Sequence, residues 1–326
     1  MERSLDEDLI DGAQTGDLAR MRAADEASKK RRDDVVRREM YYNAAMASAS
    51  FRGHADAVRL CREWGARSYD WAMARAAAGG HEAVVALCRE WGAADFNRAL
   101  VAAAREGHEA IARRLVNWGA TDFDRALAAA AENGHLAMMR ACHEWGARDN
   151  DRALIAAATR AQRAAVELCH EWGARDNDSA MAAAARAGDA ELVERCRERG
   201  ATDVDSALVA AAEGGHVELV QRCRECGATD VNAAMVAAAS TRQNSLEIVR
   251  RCQAWGATSF DEALIEAAAA GNEEVVQLCI AAGAKLLEKA ADCALMFEHP
   301  DLARSISELT EKNATVDALL RSIDVS

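Results

Sequence analysis

Four histidines, His54, His81, His108 and His135, stand 27 residues apart, and ten cysteines are spread through the same chain. Imidazole and thiolate bind zinc and serve as catalytic nucleophiles or bases, so their spacing decides whether either chemistry is available. The histidine series continues as Gln162, Asp189, His216, Ser245 and Asn272. These are helix-capping and hydrogen-bonding residues, so the ladder reads as structure rather than as metal ligands. Eight cysteines (Cys61, Cys88, Cys142, Cys169, Cys196, Cys223, Cys252 and Cys279) fill one repeat position, which Leu115 takes in the third unit. A site that accepts Cys or Leu is a small apolar core site. Equivalent residues on packed helices lie about 8–10 Å apart, beyond the ~7 Å reach of a disulfide, so reduced thiols are expected. Cys223 and Cys226 have the spacing of half a zinc site. The neighbouring Cys196 and Cys252 sit one helix pair away and cannot converge on zinc–sulfur bonds of ~2.3 Å.

No glycine-rich phosphate loop, H-E-x-x-H segment or nucleophile elbow is present, and the polar residues recur by rule instead of converging. The chain therefore reads as non-enzymatic, with no catalytic residue, cofactor or metal expected. One position does vary from unit to unit: Trp71, Arg98, Arg125, Arg152, Ser179, Ser206, Ala233 and Glu262. Three consecutive arginines there make a basic stripe on an acidic protein, paired by default with Asp124 and Asp151. The candidate partner-binding residues are Trp71, Arg98, Arg125 and Arg152, together with Arg105 and Glu132.

The elements that position these residues follow from a period. Gly65, Gly92, Gly119, Gly146, Gly173, Gly200, Gly227, Gly256 and Gly283 are 27 residues apart, except for an interval of 29 after Gly227. A fixed period of this length marks stacked supersecondary units. Asn43, Asp70, Asn97, Asp124, Asp151, Asp178, Asp205, Asn232 and Asp261 open each unit and are expected to be N-caps. The residue before each, such as Tyr69, Phe96 or Phe123, suits a hydrophobic staple. The alanine-rich first half, Asp124 to Glu132, reads as one helix. His135 to Trp145, with Met138, Met139 and Cys142 on one face, reads as a second helix ending at a C′ glycine. Four of the six tryptophans that end second helices have an aromatic residue five positions later. Such rings are expected to cover the junction between units, with an exposed binding strip as the alternative.

Ala131-Glu132-Asn133-Gly134-His135-Leu136 with Gly146-Ala147, and the matching segment from Ala212 to Val220 with Gly227-Ala228, resemble ankyrin repeats. The T-P-L-H segment is missing and the unit is six residues short of the usual 33. The deficit falls where the family carries its β-hairpin finger, so tight turns are expected there. The short units bearing Cys-Arg-Glu-Trp-Gly-Ala look like those encoded by large DNA viruses. The resemblance implies an all-α solenoid of stacked antiparallel helix pairs, with fingers shortened or absent. It also implies an adaptor that binds a host regulatory protein through its concave first-helix face. The alternative is a self-associating structural or virion scaffold.

One array over residues 1–326 is expected: an N-terminal cap at 5–27, a charged insertion at 28–42, nine repeats over 43–284, and a degenerate repeat with a capping helix at 285–326. A net charge of −13 argues against a nucleic-acid partner. No stretch is apolar enough to span a membrane, and the start lacks the apolar core of a signal peptide. A soluble monomer in the cytoplasm, the host cytoplasm if viral, is the expectation, with the nucleus as the alternative. Lys29-Lys30-Arg31-Arg32 reads as a solvated connector, with nuclear import as the alternative.

Overall fold

The computed structural model describes residues 5–30 and 35–310. Among them every regular element is a helix. Contacts divide the chain into two compact units, Met1–Ala157 with Gln162–Arg175, and Ala158–Ala161 with Asp176–Ser326. The first unit holds α1 (Leu5–Thr15), α2 (Leu18–Lys30), α3 (Val35–Arg52), α4 (Ala55–Glu63), α5 (Tyr69–Gly79), α6 (Glu82–Glu90), α7 (Phe96–Glu106), α8 (Glu109–Asn117), α9 (Phe123–Glu132), α10 (Leu136–Trp145), most of α11 (Asn150–Thr159) and α12 (Arg163–Glu171). The second holds α13 (Asn177–Ala187), α14 (Ala190–Glu198), α15 (Val204–Glu213), α16 (Val217–Glu225), α17 (Val231–Ala239), α18 (Ser245–Ala254), α19 (Phe260–Ala270), α20 (Glu273–Ala281), α21 (Leu287–Met296) and α22 (residues 300–310).

Within each unit the first helices pack on one another, α3 to α5 to α7 to α9 and α13 to α15 to α17 to α19 to α21. Their alanines permit this. Ala99, Ala103 and Ala104 of α7 are wholly buried, and so are the single large residues Met73, Leu100 and Leu127. Most of these helices are nine to eleven residues long, too short to persist alone in water, so the stacked face holds them. Both turns of a pair use the same device. Gly65 at φ +111 follows α4, while Ala66 N donates to Cys61 O at 3.0 Å and Gly65 N to Arg62 O at 3.0 Å. That is a Schellman ending, and it explains the recurrent Gly-Ala: a left-handed glycine, then a small residue packed beside the buried cysteine. The first helix ends likewise, with His81 N on Ala76 O at 2.9 Å.

The expected N-caps are corrected by two residues. The caps of the first helices are Asp95, Asp122, Asp176, Asp203 and Asp230, whose side chains accept from the amide three residues on. Tyr69, Phe96 and Phe123 are not staples outside the helix but its first residues. Asp70, Asn97 and Asp124 lie inside the helix, and Asn43 sits in the middle of the 18-residue α3. What these residues cap is the next unit. Asp70 Oδ1 accepts from Ala94 N at 2.7 Å and Asp95 N at 2.8 Å. Asn97 Oδ1 holds Thr121 N at 2.7 Å and Asp122 N at 3.0 Å. Asp124 holds Arg148 N at 2.6 Å and Asp149 N at 2.9 Å, and Asp205 holds Thr229 N at 2.5 Å and Asp230 N at 2.9 Å. Asn43, Asp178, Asn232 and Asp261 do the same. The connection between units is therefore a tight turn pinned by the preceding unit, closed further by bonds such as Phe123 N to Thr121 O at 2.9 Å.

The charged insertion is helical where it is described. Its described residues are the end of α2 and the first half of α3, with no loop-forming residue between Val35 and Arg52. Lys29 Nζ lies 2.7 Å from Asp25, a carboxylate that is 3% exposed and accepts from Tyr42 Oη at 2.6 Å. Arg31 and Arg32, and the capping helix expected at Thr315 to Ile323, lie outside the described residues.

Asp205→Ala strips two backbone amides of their acceptor and should cost about 2–3 kcal/mol, whereas Asp205→Asn, the residue three units already use, should be nearly neutral at pH 7. Amide donation holds the Asp124 and Asp205 carboxyls below their ordinary value. Their contribution is thus complete above about pH 4 and is lost as pH falls through the lowered values. Combined Asp124→Asn and Asp205→Asn should therefore blunt acid unfolding followed by circular dichroism, and an unchanged acid limb would refute the clamp's charge dependence. Ala161 is held at φ +54 where other units carry glycine. Ala161→Gly should raise stability by roughly 0.5–1 kcal/mol in a urea titration, because the left-handed penalty exceeds the entropic cost of glycine.

Candidate functional site

Asp95 Oδ1 accepts from Arg98 N at 3.0 Å, Asp122 from Arg125 N at 3.4 Å and Asp149 from Arg152 N at 3.1 Å. The three arginines thus share one step, the third residue of α7, α9 and α11, and Trp71 occupies that step in α5. The preceding residue is the clamp and is turned to the next unit. A step of about 100° then carries the third residue outward. All three arginines are exposed, and Trp71 is half-buried. Arg105 and Glu132 share a different step, in the last turn of α7 and α9, seven residues or about 10 Å along the helix. Arg105 is exposed and Glu132 half-buried. At the same step in the second unit, Arg186 pairs with Glu213 at 2.5 Å. The six candidates therefore form two tracks at opposite ends of the first helices rather than one cluster.

The electrostatics of the first track differ from a plain basic stripe. Arg125 turns back onto its own cap, Asp122, at 3.1 Å, not onto Asp124. The Asp124 carboxyl is held low first by the amides of Asp149 and Arg148, and then by the Arg152 and Arg148 charges. Guanidinium and carboxylate alternate along the track, since every arginine is preceded by a cap carboxylate. Such a surface is complementary to a pattern of both signs rather than to simple acidity.

Second helices begin at His54, His81, His108, His135, Gln162, Asp189, His216 and Asn272, but the histidine side chains do not cap. His81 Nε2 instead bonds Phe51 O at 3.0 Å, His108 Nε2 bonds Ala78 O at 3.1 Å and His216 Nε2 bonds Arg186 O at 3.0 Å. Each ring lies against the glycine of the preceding unit. A Cβ at Gly107 would stand 2.8 Å from the His135 ring. In the unit with two extra residues the capping position falls on Asn244, not on Ser245 as the period suggests. Among the described residues no three His, Cys, Asp or Glu side chains are grouped as a metal site would require.

The tryptophans are paired differently from the expectation. Four of them meet an aromatic ring 22 residues earlier, not five later: Tyr42–Trp64 at 5.5 Å, Tyr69–Trp91 at 5.7 Å, Phe96–Trp118 at 5.8 Å and Phe123–Trp145 at 6.2 Å. The antiparallel pair sets the start of its first helix beside the end of its second, and that is where the rings meet. The opposite side is covered from the preceding unit. Arg62 lies 4.6 Å over Trp91, Arg89 lies 4.2 Å over Trp118, and His143 stacks on Trp172 at 4.4 Å and 16°. The seven tryptophans are all half-buried. Each of these stacked partners stands 29 residues before its tryptophan, a spacing visible in the sequence.

The eight ladder cysteines are buried, Cys293 is half-buried and Cys226 is exposed. Burial pushes the thiols of Cys61, Cys88, Cys142, Cys169 and Cys252 up to about 12, which makes them inert in the folded chain. An aromatic disulfide reagent should titrate Cys226 quickly, Cys293 more slowly, and the other eight only on unfolding. Rapid reaction of more than two thiols in the native protein would break the core assignment.

No family model matches the chain, and no curated protein matches it. Among solved structures a match is found to the crystal structure of the human ASB11 ankyrin repeat domain. It is 22% identical, covers 57% of this chain and 98% of that one, and has a TM-score of 0.41. No helix among the described residues is long and apolar enough to cross a membrane.

Proposed function

We propose that the chain is a non-enzymatic adaptor that binds a protein partner across the exposed steps of its first helices. One observation carries this reading. The clamp, the cap and the core alanines repeat with little change, while the step between them is exposed or half-buried and changes in chemistry from Trp71 to Arg98, Ser179 and Glu262. A fixed frame presenting a variable row is the design of a repeat-protein binding surface. The resemblance to ankyrin proteins of large DNA viruses supports a host regulatory protein as the partner, in ubiquitin or innate-immune signalling, and the host cytoplasm as the place of action. The Lys29 ammonium of the basic tetrad is engaged by Asp25 and Glu26, which favours the cytoplasm over nuclear import. The second reading, a self-associating scaffold, is favoured by the exposed Leu295, Met296 and Phe297 at 58%, 75% and 56%. Light scattering at high concentration separates the two: a monomer supports the adaptor, and an oligomer dispersed by Met296→Ser and Phe297→Ser supports the scaffold.

Affinity capture from cells tests the surface itself, comparing wild type with the triple variant Arg98→Glu, Arg125→Glu, Arg152→Glu. The triple variant should lose the captured partner while its melting temperature hardly moves, since exposed charges contribute only about 0–1 kcal/mol each to folding. Leu127→Ala should do the opposite, costing roughly 2–5 kcal/mol of stability through the cavity it leaves. Capture of the same proteins by wild type and triple variant would remove the arginines from the site.

A further inference from the structure

The cavity beside Trp91 lies outside both first-helix tracks and carries a chemistry of its own. It is open, about 520 Å³ in volume, and is lined by Arg59, Arg62 and Glu63 of α4, Arg67, Tyr69 of α5, and Leu87 and Trp91. Three guanidiniums face one lining carboxylate in a protein whose net charge is −13. The neighbouring cavity at Trp64, about 370 Å³, sets Lys29 and Arg38 against Glu39 and Glu63 and has no such excess. The sequence makes the same distinction. The positions of Arg59, Arg62 and Arg67 are filled one period on by Ala86, Arg89 and Ala94, then by Arg113, Val116 and Thr121. The full arginine set does not recur at any later 27-residue step up to Thr229.

Two of the three guanidiniums are already ordered. Arg62 is stacked 4.6 Å from the Trp91 ring centre. Arg67 donates to Arg62 O at 3.1 Å, Ala66 O at 2.8 Å and Tyr69 Oη at 3.4 Å. All three of those bonds use the same terminal nitrogen, so its remaining donors are not consumed by them. Arg59 pairs with Asp56 at 2.9 Å, where both side chains are exposed, a contact that an incoming anion exchanges at little cost. Pre-set planar donors of this kind match the oxygens of a phosphate monoester. The half-buried Leu87 and Trp91 offer apolar wall to the residues on either side of it, which suits a peptide. A single such spot provides no row of phosphate contacts for nucleic acid.

We propose that this cavity binds the phosphorylated side chain of a peptide. Arg59, Arg62 and Arg67 hold the phosphate, and the Trp91–Leu87 wall takes a flanking apolar residue. The site is separate from the first-helix surface and stands whether or not that surface binds a partner. Fluorescence polarisation tests it with labelled nine-residue peptide pools, degenerate except for a central phosphoserine, glutamate or serine. The phosphoserine pool should bind at least about tenfold more tightly than the serine pool, with glutamate between them and affinity falling as salt rises. Arg59→Glu and Arg62→Glu should each weaken phosphopeptide binding by about tenfold or more, while the triple variant at Arg98, Arg125 and Arg152 stays within about twofold. Arg62 packs on Trp91, so its variant is read alongside a melting curve. The ion pair of Arg59 is with an exposed aspartate, and its variant decides the matter if the other unfolds. Equal binding of the phosphoserine and serine pools, or wild-type binding by Arg59→Glu, overturns the proposal.

Discussion

One oxygen accepting two consecutive amides is the contact from which the rest of the architecture follows. A unit without a finger has only a short connection, the five residues between α8 and α9, which offers no acceptor of its own to the amides of Thr121 and Asp122. Its amides need partners, and the clamp residue of the preceding first helix supplies them, as Asn97 does for Thr121 and Asp122. The contact spans 24 and 25 residues and so fixes where the next first helix begins. The direction of that helix then sets which residues face the stack. The clamp points forward, the core leucine or methionine points inward, and the residue after the clamp is left to solvent.

The same geometry explains why this chain uses arginine where lysine would carry equal charge. Arg62 and Arg89 lie flat on indole rings, which a guanidinium plane can do and an ammonium cannot do as well. Arg67, Arg148 and Arg224 donate to carbonyls that end second helices or follow them, taking up acceptors that the helix leaves open. Positive charge is thereby spent within the junctions, and the carboxylates of caps and clamps dominate the solvated ends. The Trp91 cavity is the place where three guanidiniums outnumber those carboxylates.

Much of this was legible in the residues. The period gave the helix pairs, the Gly-Ala ending and the buried cysteine ladder, because each depends on local backbone chemistry. The clamp was not legible as a clamp. Asp95 and Asn97, or Asp122 and Asp124, are equally good capping types two residues apart, and local preference cannot rank them. A long-range bond decides between them, and the signal for it was composition at the two positions. Ser68 and Ser259 stand in for aspartate at the true cap, while the clamp position from Asn43 to Asp261 contains only Asp or Asn. Neither serine side chain makes a cap bond, so the helix start tolerates that loss, whereas every clamp keeps a carboxylate or amide oxygen long enough to reach the next pair. The aromatic pairs are hidden in the sequence for a related reason, since five residues is the nearer spacing along the chain while 22 is the nearer in space.

The 29-residue unit shows where this scaffold can grow. Its two extra residues lie in Ser240–Asn244, between α17 and α18, with Asn244 in the left-handed region at φ +52. The clamp simply spans two residues more, from Asn232 to Thr258 and Ser259, and Asn244 Nδ2 still reaches back to Gly215 O at 2.9 Å. Length added inside a hairpin is absorbed within that hairpin, whereas length added between hairpins would pull the amides off their oxygen. Descendants of such a gene can therefore acquire new loops at one end of each pair without losing register. The opposite end is held to a fixed ruler.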